Sequence, residues 1–235
     1  MKDIQKEAEK KLAAEKAVEF VKDGMTVGLG TGSTVYYAIN KIGDLVKDGL
    51  KVKAVSSSNA STELAKSLGI EVIPIDDVPL ININIDGADE ADSSFNGIKG
   101  GGGALLFEKI LALNSEKNIW IVDSAKLVNT LGKFPLPVEV IPFGYKRVLE
   151  HLKDCNPELR LKDGNIYKTD SGNYIFDLHL NVIEDPLIMD MELKQVTGIV
   201  ETGLFIDIAD TIIIGKENST EIINKNYVFI VKKLI

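Results

Sequence analysis

The first half of the chain alternates short apolar segments with amphipathic ones. Residues 3–22 have the apolar periodicity of a helix rich in Ala, Glu and Lys. Beyond them, the pattern predicts strands at 25–29, 51–55, 71–75, 80–86 and 118–122. It predicts helices between them at 33–46, 59–68 and 104–113. Strands and helices that alternate at this spacing are typical of parallel βαβ units. We therefore predict an α/β fold with a Rossmann-like parallel sheet and helices on both faces.

The pattern changes after the proline-containing connector LGKFPLP at 131–137. The segments that follow predict a strand at 138–143 and a helix at 145–154, and then two strands joined by a turn, at 158–164 and 173–180. A helix at 186–196 and a strand at 198–205 complete the pattern. This β-α-β-β-α-β order is ferredoxin-like. We therefore predict a smaller ferredoxin-like α+β domain at 131–205. Residues 1–130 and 206–235 would form the Rossmann-like domain, with 211–215 and 226–231 rejoining its sheet.

Clusters of small and polar residues follow four of the predicted strands. They are GTGST at 30–34, SSSN at 56–59, DGADE at 86–90 and DSAK at 123–126. In an open α/β sheet the carboxyl ends of the strands line one crevice, in which ligands bind. We therefore expect the four clusters to contribute to a single site.

The glycine-containing turn GLGTGST at 28–34 is similar in composition to nucleotide-binding motifs. The dinucleotide fingerprint requires glycine at position 33, where Ser33 stands, and no G-K-[ST] of a P-loop follows. What remains is a glycine turn that feeds a helix N-terminus, whose exposed amides can hold a phosphate or another oxyanion. The candidate binding residues are Thr31, Gly32, Ser33 and Thr34. A purely structural βα turn is the alternative.

Two carboxylates stand close together after the strand predicted at 80–86. Asp86 and Asp89 are separated only by Gly87 and Ala88, so both carboxylates could face one pocket. Paired carboxylates can divide acid and base roles, and they can also bind Mg²⁺. A helix N-cap or a solvated acidic loop would explain the same residues.

The run KGGGGA at 99–104 predicts a place where the backbone approaches another group closely, because four consecutive glycines cost backbone entropy. Lys99 opens the run, and a lysine beside free amides can neutralise an oxyanion as its charge develops. The amides concerned belong to Gly100, Gly101 and Gly102. A flexible linker is the alternative, although ordered segments are predicted on both sides.

Glu108 lies in the nearly all-apolar segment at 104–113. Its neighbours one helical turn away are apolar, and burial would raise the pKa of its carboxyl toward the range that suits a general base. Lys109 has similar neighbours, so periodicity does not choose between the two residues, and a mutual ion pair remains open. Lys126, at the end of DSAK, could reach a phosphate or sugar oxygens.

Composition narrows the classes of function. The net charge of −8 argues against broad nucleic-acid binding, and no apolar run approaches the ~20 residues that span a bilayer. The charged N-terminus is unlike a secretory signal, so we expect a cytoplasmic protein. The single cysteine, Cys155, permits no internal disulfide, and His151 and His179 lie too far apart in sequence to suggest a zinc site. We therefore expect no zinc site.

Taken together, these motifs resemble those of the type A ribose-5-phosphate isomerase family. The similarity runs through GLGTGST, SSS, DGADE, KGGGGALLFEKI, DSAK and LGKFPLPVEVIPF, and it continues to RLKDGNIYKTDSGNYIFDL and GIVETGLF. The resemblance implies an aldose-ketose isomerase of the non-oxidative pentose phosphate pathway that needs neither a metal nor another cofactor. Such an enzyme interconverts D-ribose 5-phosphate and D-ribulose 5-phosphate through an enediolate. The resemblance also implies a homodimer or a larger assembly such as a tetramer.

The resemblance assigns roles to individual residues. Glu108 corresponds to the general base, Lys99 to the cation that stabilises the enediolate, and Asp86 to the carboxylate that assists ring opening. Asp89 corresponds to a residue near the sugar hydroxyls. The implied substrate contacts are Thr31, Gly32, Ser33, Thr34, Asp86, Gly87, Ala88, Asp89, Lys99, Gly100, Gly101, Gly102 and Lys126.

Three other activities remain open on the sequence alone. A sugar-phosphate deaminase or lactonase could use a similar fold, and an acyl-CoA transferase would use a glutamate as nucleophile. A sugar-phosphate sensor would need a DNA-binding module, and this acidic chain has no basic helix-turn-helix pattern. Phe107 and Thr202 depart from the family pattern, in which polar and asparagine side chains are expected. These departures bear on fine geometry rather than on the reaction.

Overall fold

The computed structural model describes residues 2–225. Its helices are α1 (Lys2–Val18), α2 (Ser33–Lys47), α3 (Asn59–Ser67), α4 (Leu105–Leu113), α5 (Tyr145–His151) and α6 (Pro186–Lys194). Its strands are β1 (Thr26–Leu29), β2 (Lys53–Ser56), β3 (Glu71–Val72), β4 (Ile83–Gly87), β5 (Glu90–Ala91), β6 (Gly97–Ile98), β7 (Asn118–Asp123), β8 (Leu136–Val140), β9 (Pro157–Leu159), β10 (Leu161–Lys162), β11 (Asn165–Ile166), β12 (Tyr174–Leu178), β13 (Ile199–Thr202), β14 (Leu204–Phe205), β15 (Thr211–Lys216) and β16 (Ser219–Asn224). Within this range, no helix is long and apolar enough to cross a membrane.

A seven-stranded sheet forms the larger part of the fold. Its strand order is β16-β15-β7-β4-β1-β2-β3, and every neighbouring pair is parallel except β15 and β16. From β1 the chain builds outward through β2 and β3 on one side and through β4, β7 and β15 on the other. This reversal opens a crevice at the carboxyl ends of β1 and β4. The predicted Rossmann-like sheet is confirmed, including its return at 211–215, whereas 226–231 lies outside the described residues.

The two faces of this sheet bury alternate residues of the same strands. Ile119 and Ile121 of β7 pack in the core beneath α1 and α2. Trp120 and Val122 pack on the opposite face, together with Ala112 of α4. Every residue of β7 is buried, as expected for a central strand of a parallel sheet. The prediction of helices on both faces is therefore confirmed.

The β3 edge of the sheet is shorter than the strand predicted at 71–75. Pairing with β2 ends after Val72. Pro74 has no N–H to donate to a neighbouring strand, and a 3₁₀ turn begins directly after it at Ile75. The prediction was wrong here because a proline cannot continue the hydrogen-bond ladder.

A second sheet contains four antiparallel strands in the order β13-β8-β12-β9. Together with α5 and α6 it has the predicted ferredoxin-like succession β-α-β-β-α-β. Its own apolar core includes Val138, Val148, Phe176 and Leu193. The strand predicted at 158–164 is wrong in its second half, because β9 ends at Leu159 and a separate hairpin of β10 and β11 follows. The limits 131–205 for a separate domain remain a prediction.

The segment at 198–205 forms two strands, although the sequence predicts one. β13 pairs with β8 of the second sheet, whereas β14 pairs with β6 in a three-stranded sheet that also includes β5. The break lies at Gly203, whose carbonyl accepts a hydrogen bond from the N–H of Lys99 at 2.9 Å. A β-carbon at Gly203 would lie 2.3 Å from the Lys99 carbonyl oxygen, so only glycine permits this approach. The crossing brings the second sheet next to Lys99.

Candidate active site

The turn between β1 and α2 lies at the crevice that the strand order predicts. β1 ends at Leu29, and α2 begins at Ser33 with Gly32 as its N-cap at a φ of 109°. No side chain caps this helix, so its first amides are left open toward the crevice. Thr31 is fixed by a 2.9 Å hydrogen bond between its hydroxyl and that of Ser57, from the predicted serine cluster.

Asp86 is the last residue but one of β4, the strand next to β1, and is fully buried. Its Oδ1 accepts hydrogen bonds from the N–H groups of Gly87 (2.7 Å) and Thr31 (3.2 Å). Its Oδ2 lies 2.9 Å from Nζ of Lys99. Burial raises the pKa of Asp86, while the nearby lysine charge and the two amides act in the opposite direction. Asp86 is therefore a buried partner that holds Lys99 in place.

Gly30 has no side chain and so leaves room for the Asp86 carboxylate. A substitution at Gly30 therefore tests whether the position of this carboxylate matters. A β-carbon at Gly30 would lie 1.9 Å from Oδ1 of Asp86, so Gly30→Ala must displace the carboxylate from Thr31 and Lys99. We expect kcat/KM to fall on the order of 10²-fold, and the free energy of unfolding to fall by about 1–3 kcal/mol. Steady-state kinetics and urea unfolding would measure both.

Gly87→Ala is the matched control, because its added β-carbon would meet no atom closer than 3.9 Å. We expect it to cost much less activity than Gly30→Ala. Equal losses in the two variants would contradict the steric argument.

Lys99 follows β6 and is the ionic centre of the site. Besides Asp86, its Nζ lies 3.2 Å from Oε2 of Glu108, and it donates a hydrogen bond to the carbonyl of Gly87. Burial by itself would lower the pKa of Lys99, but the charges of the two carboxylates outweigh it and raise the pKa above its ordinary value. Lys99 is therefore a permanent buried cation between two carboxylates.

Glu108 lies in the first turn of α4, which begins at Leu105 and buries Glu108 almost completely. Burial raises the pKa of Glu108 to about 8, the charges of Asp86 and Asp89 add to the increase, and Lys99 opposes it. A carboxyl with a pKa in this range can accept and return a proton near neutral pH. The arrangement has the properties of a general base beside a fixed cation.

Lys109 points away from Glu108, which answers the question that periodicity leaves open. Its Nζ lies 2.8 Å from Oε1 of Glu201 and 2.8 Å from the carbonyl oxygen of Thr202 in β13. Both Glu108 and Lys109 are buried, but they have different partners, so the mutual ion pair does not form. Thr202, one of the two departures from the family pattern, thus contacts Lys109 through its backbone.

The raised pKa of Glu108 predicts how activity depends on pH. Only the ionised carboxylate can accept a proton, so kcat/KM should rise roughly tenfold per pH unit below the pKa and level off above it. We expect the midpoint near the pKa of about 8, which a kcat/KM profile would locate. A profile that stays flat across neutral pH would contradict this assignment.

The same raised pKa has a consequence for stability. The unfolded chain loses the Glu108 proton near the ordinary carboxyl pKa, whereas the folded chain holds it to about pH 8. The folded state therefore binds more protons in this window, and Glu108 makes the fold less stable as pH rises through it.

The predicted residues meet around a cavity of about 230 Å³ at the carboxyl ends of β1 and β4. Its lining consists of Thr31, Gly32, Ser33, Thr34, Gly87, Ala88, Asp89, Lys99, Gly100, Gly102, Glu108 and Lys126. Two predicted site residues, Asp86 and Gly101, are not part of this lining. Asp86 pairs with Lys99, and the N–H of Gly101 donates to Oδ2 of Asp89 at 2.8 Å. Within residues 2–225, no group of three or more His, Cys, Asp and Glu side chains is placed to hold a metal ion.

Lys126 reaches the cavity from the turn after β7. Its Nζ donates to the carbonyl of Ala88 at 2.8 Å, and burial lowers its pKa. The turn is fixed by Glu9 of α1, whose Oε2 accepts from the N–H (3.0 Å) and the hydroxyl (2.8 Å) of Ser124. The sequence analysis did not identify Glu9, because a glutamate within a helix rich in Glu and Lys carries no distinguishing signal.

Two residues of the region around the second sheet also contact the site, and the sequence analysis missed both. Arg160 donates to the carbonyl oxygens of Gly100 (2.8 Å) and Gly101 (3.2 Å). The hydroxyl of Tyr167 lies 3.4 Å from the carbonyl oxygen of Gly102. These contacts join segments about 60 residues apart and involve backbone carbonyls of the glycine run, so no local sequence pattern predicts them. The one available signal is that Arg160 is one of only two arginines in the chain.

Comparison with known sequences identifies the family. A sequence model of the family Ribose 5-phosphate isomerase A (phosphoriboisomerase A) matches residues 53–219. The ribose-5-phosphate isomerase A of Listeria monocytogenes is 50% identical over 221 residues, which cover 92% of this chain and 99% of the relative. That of Lacticaseibacillus paracasei is 51% identical over 219 residues, which cover 92% and 96%.

Solved structures of the same kind superpose on nearly the whole chain. Ribose 5-phosphate isomerase from Plasmodium falciparum matches with a TM-score of 0.91 at 38% identity and covers 94% of this chain and 100% of its own. A D-ribose-5-phosphate isomerase in complex with phospho-erythronic acid matches with a TM-score of 0.89 at 39% identity and covers 92% and 98%. The chain therefore belongs to the ribose 5-phosphate isomerase A family.

Proposed function

We propose that this protein interconverts D-ribose 5-phosphate and D-ribulose 5-phosphate, with Glu108 as the base and a cis-enediolate as the intermediate. The observation that carries the proposal is the pairing of two groups in the cavity wall. Glu108 has a pKa raised to about 8, and its Oε2 lies 3.2 Å from Nζ of the permanently charged Lys99. A base beside a fixed cation suits a reaction that removes a carbon-bound proton and creates an oxyanion.

The proposed proton transfers use these two groups. The carboxylate of Glu108 removes the proton from C2 of the open-chain aldose, and the electron pair of the C2–H bond forms the C1–C2 double bond as negative charge moves to O1. Lys99 stabilises this charge. After the hydroxyl proton moves from O2 to O1, protonated Glu108 returns its proton to C1, and C2 becomes the ketone. The base ends the cycle ionised, as it began.

Ring opening precedes these steps and needs acid and base groups of its own, since the anomeric hydroxyl loses a proton and the ring oxygen gains one. The family resemblance assigns this step to Asp86. Because Asp86 is fully buried behind Lys99, we propose that it acts through the Lys99 ammonium. Asp89 lines the cavity and is oriented by the N–H of Gly101, so we place it against the sugar hydroxyls.

We propose that the phosphate binds at the open N-terminus of α2, together with Lys126. The helix dipole and the free amides near Ser33 and Thr34 favour an anion there. Burial lowers the pKa of Lys126, and the charges of Lys99 and Lys10 act in the same direction against those of Asp89 and Asp123. A phosphate dianion would favour the charged form of this buried lysine, which supports the location in a chain whose net charge is otherwise negative.

We also propose that the protein works in the cytoplasm as a homodimer or a tetramer. The similarity to bacterial ribose-5-phosphate isomerases supports the location, and the family resemblance supports the assembly. Large apolar side chains on the outer surface, such as Phe143 and Leu113, are available for contact between copies. Light scattering of the purified protein would give the mass of the assembly. A monomer at micromolar concentration would contradict the oligomer.

The experiment that tests the reaction follows ribulose 5-phosphate formation from ribose 5-phosphate in the presence of EDTA, with C2 deuterium exchange measured in D₂O. An isomerase that works through an enediolate and without a metal gives both signals. Lactone hydrolysis without exchange would indicate a lactonase, and loss of an acyl-CoA thioester would indicate a transferase. Sugar-phosphate binding without turnover would indicate a sensor and would overturn the proposal.

A further inference from the structure

The carbonyl groups of the glycine run are held from the side of the second sheet. Arg160 Nη1 donates to the carbonyl oxygens of Gly100 at 2.8 Å and Gly101 at 3.2 Å. The hydroxyl of Tyr167 lies 3.4 Å from the next carbonyl oxygen, that of Gly102. Three consecutive peptide groups therefore have their oxygens directed toward residues 160–167.

Arg160 is itself held in one orientation. Its Nε donates to Oδ2 of Asp177 in β12 at 2.8 Å, and its Nη2 donates to Oδ1 of the same carboxylate. This two-pronged pairing occupies one edge of the guanidinium and leaves Nη1 to reach the glycine run. The Arg160 side chain is only 14% exposed, and its backbone N–H donates to the carbonyl of Ile175 at 2.9 Å.

The orientation of these carbonyls decides where the amides point, because the C=O and the following N–H of a trans peptide point in opposite directions. The carbonyl of Gly100 faces Arg160, and the N–H of Gly101 correspondingly donates to Oδ2 of Asp89 at 2.8 Å. By the same geometry, the carbonyl of Gly101 faces Arg160 and directs the N–H of Gly102 away from it. Gly102 lines the cavity, and its N–H has no hydrogen-bond partner among residues 2–225.

We propose that Arg160, fixed by Asp177, is a positioning residue for the isomerase reaction. By holding the Gly101 carbonyl, Arg160 directs the Gly102 N–H at the enediolate oxygen. By holding the Gly100 carbonyl, it directs the Gly101 N–H that orients Asp89. Arg160 reaches the substrate only through these backbone groups. The inference rests on the proposed function. It adds to that function the Gly102 N–H as a hydrogen-bond donor beside Lys99, and Arg160 as the residue that orients this donor.

The test compares kcat, KM and inhibitor affinity in Arg160→Lys and the wild type. Lysine keeps the positive charge but cannot bind the Asp177 carboxylate and the two glycine carbonyls together. Losing one oxyanion donor costs about 10²–10³-fold in kcat, and a misaligned donor costs less, so we expect kcat to fall roughly 10- to 100-fold with little change in KM. The Ki of phospho-erythronic acid, whose planar carboxylate resembles the enediolate, should rise with the loss in kcat.

The matched control is Arg147→Lys. Arg147 is the other arginine of the chain, and its salt bridge with Glu150 lies exposed on the surface of α5. We expect this variant to keep wild-type kinetics. Asp177→Asn is the second test variant, because it leaves Arg160 in place while weakening its anchor. We expect a smaller loss of kcat there, again with little change in KM.

The outcomes separate positioning from a merely structural role. If folded Arg160→Lys keeps kcat within about twofold of the wild type, the proposal is wrong. It is also wrong if only KM rises. If Arg160→Lys does not fold, wild-type kcat and inhibitor affinity in Asp177→Asn would overturn the proposal. An inactive wild-type protein would instead refute the proposed function itself.

Discussion

Glu108→Gln is expected to lower kcat by about 10²–10⁴-fold, because an amide cannot accept the proton from C2. KM should change little, since glutamine has nearly the same shape and keeps an oxygen near Lys99. The fold should tolerate the change, because burial already raises the pKa of Glu108 and favours its neutral form. Steady-state turnover and deuterium exchange at C2 would be measured together, and both should fall.

Glu63→Gln is the matched control, since Glu63 is exposed on α3 and should leave kinetics unchanged. Normal turnover in Glu108→Gln would refute Glu108 as the base. Retained exchange at C2 with lost turnover would instead show that another group removes the proton and that Glu108 acts later in the reaction.

Lys99→Met is the second variant for which we expect a large effect, on both activity and stability. Loss of the cation beside the enediolate should lower kcat by about 10²–10³-fold. It also leaves Asp86 and Glu108 buried without their shared partner, and removing one member of a buried ion pair typically costs about 3–5 kcal/mol.

The stability loss in Lys99→Met should depend on pH in a defined direction. Without the cation, burial holds the pKa values of both carboxyls above their ordinary range in the folded state. The folded chain then retains protons that the unfolded chain releases, so stability falls as pH rises above the ordinary carboxyl pKa. Urea unfolding at about pH 5 and pH 8 would show the largest loss at the higher value.

Lys66→Met, at an exposed lysine of α3, is the control for loss of a lysine charge. It should have wild-type kcat and only a small pH-dependent change in stability. Two results would contradict the role of Lys99 as the centre of the ion cluster. One is wild-type turnover in Lys99→Met, and the other is a stability loss that is the same at both pH values.

Much of the fold follows from periodicity, because alternating apolar strands and amphipathic helices can be recognised locally. The parallel sheet, its helices on both faces and the ferredoxin-like succession all follow from this pattern. Two of the errors occur where a single residue interrupts it. Pro74 shortens β3, and Gly203 divides one predicted strand between two sheets. Their effect depends on which backbone group lies opposite, and that is a tertiary property.

The site was predictable to the extent that one rule of sheet topology applied. Thr31, Asp86 and Lys126 lie at or just beyond the carboxyl ends of strands of the parallel sheet, and such ends meet in one crevice. Lys99 follows β6, which is not part of that sheet. Its place in the site was expected only from the family resemblance and from the chemistry of its neighbouring glycines.

By itself, the sequence determined which elements form, which motifs stand at the strand ends and which family the motifs resemble, since each depends on residues close together in the chain. The tertiary structure decided which charged and polar groups pair with one another. It separated Glu108 from Lys109, buried Asp86 behind Lys99, and brought Arg160 to the glycine run. The physical reason is that pKa values and hydrogen bonds depend on burial and on distances of about 3 Å, which sequence spacing does not specify.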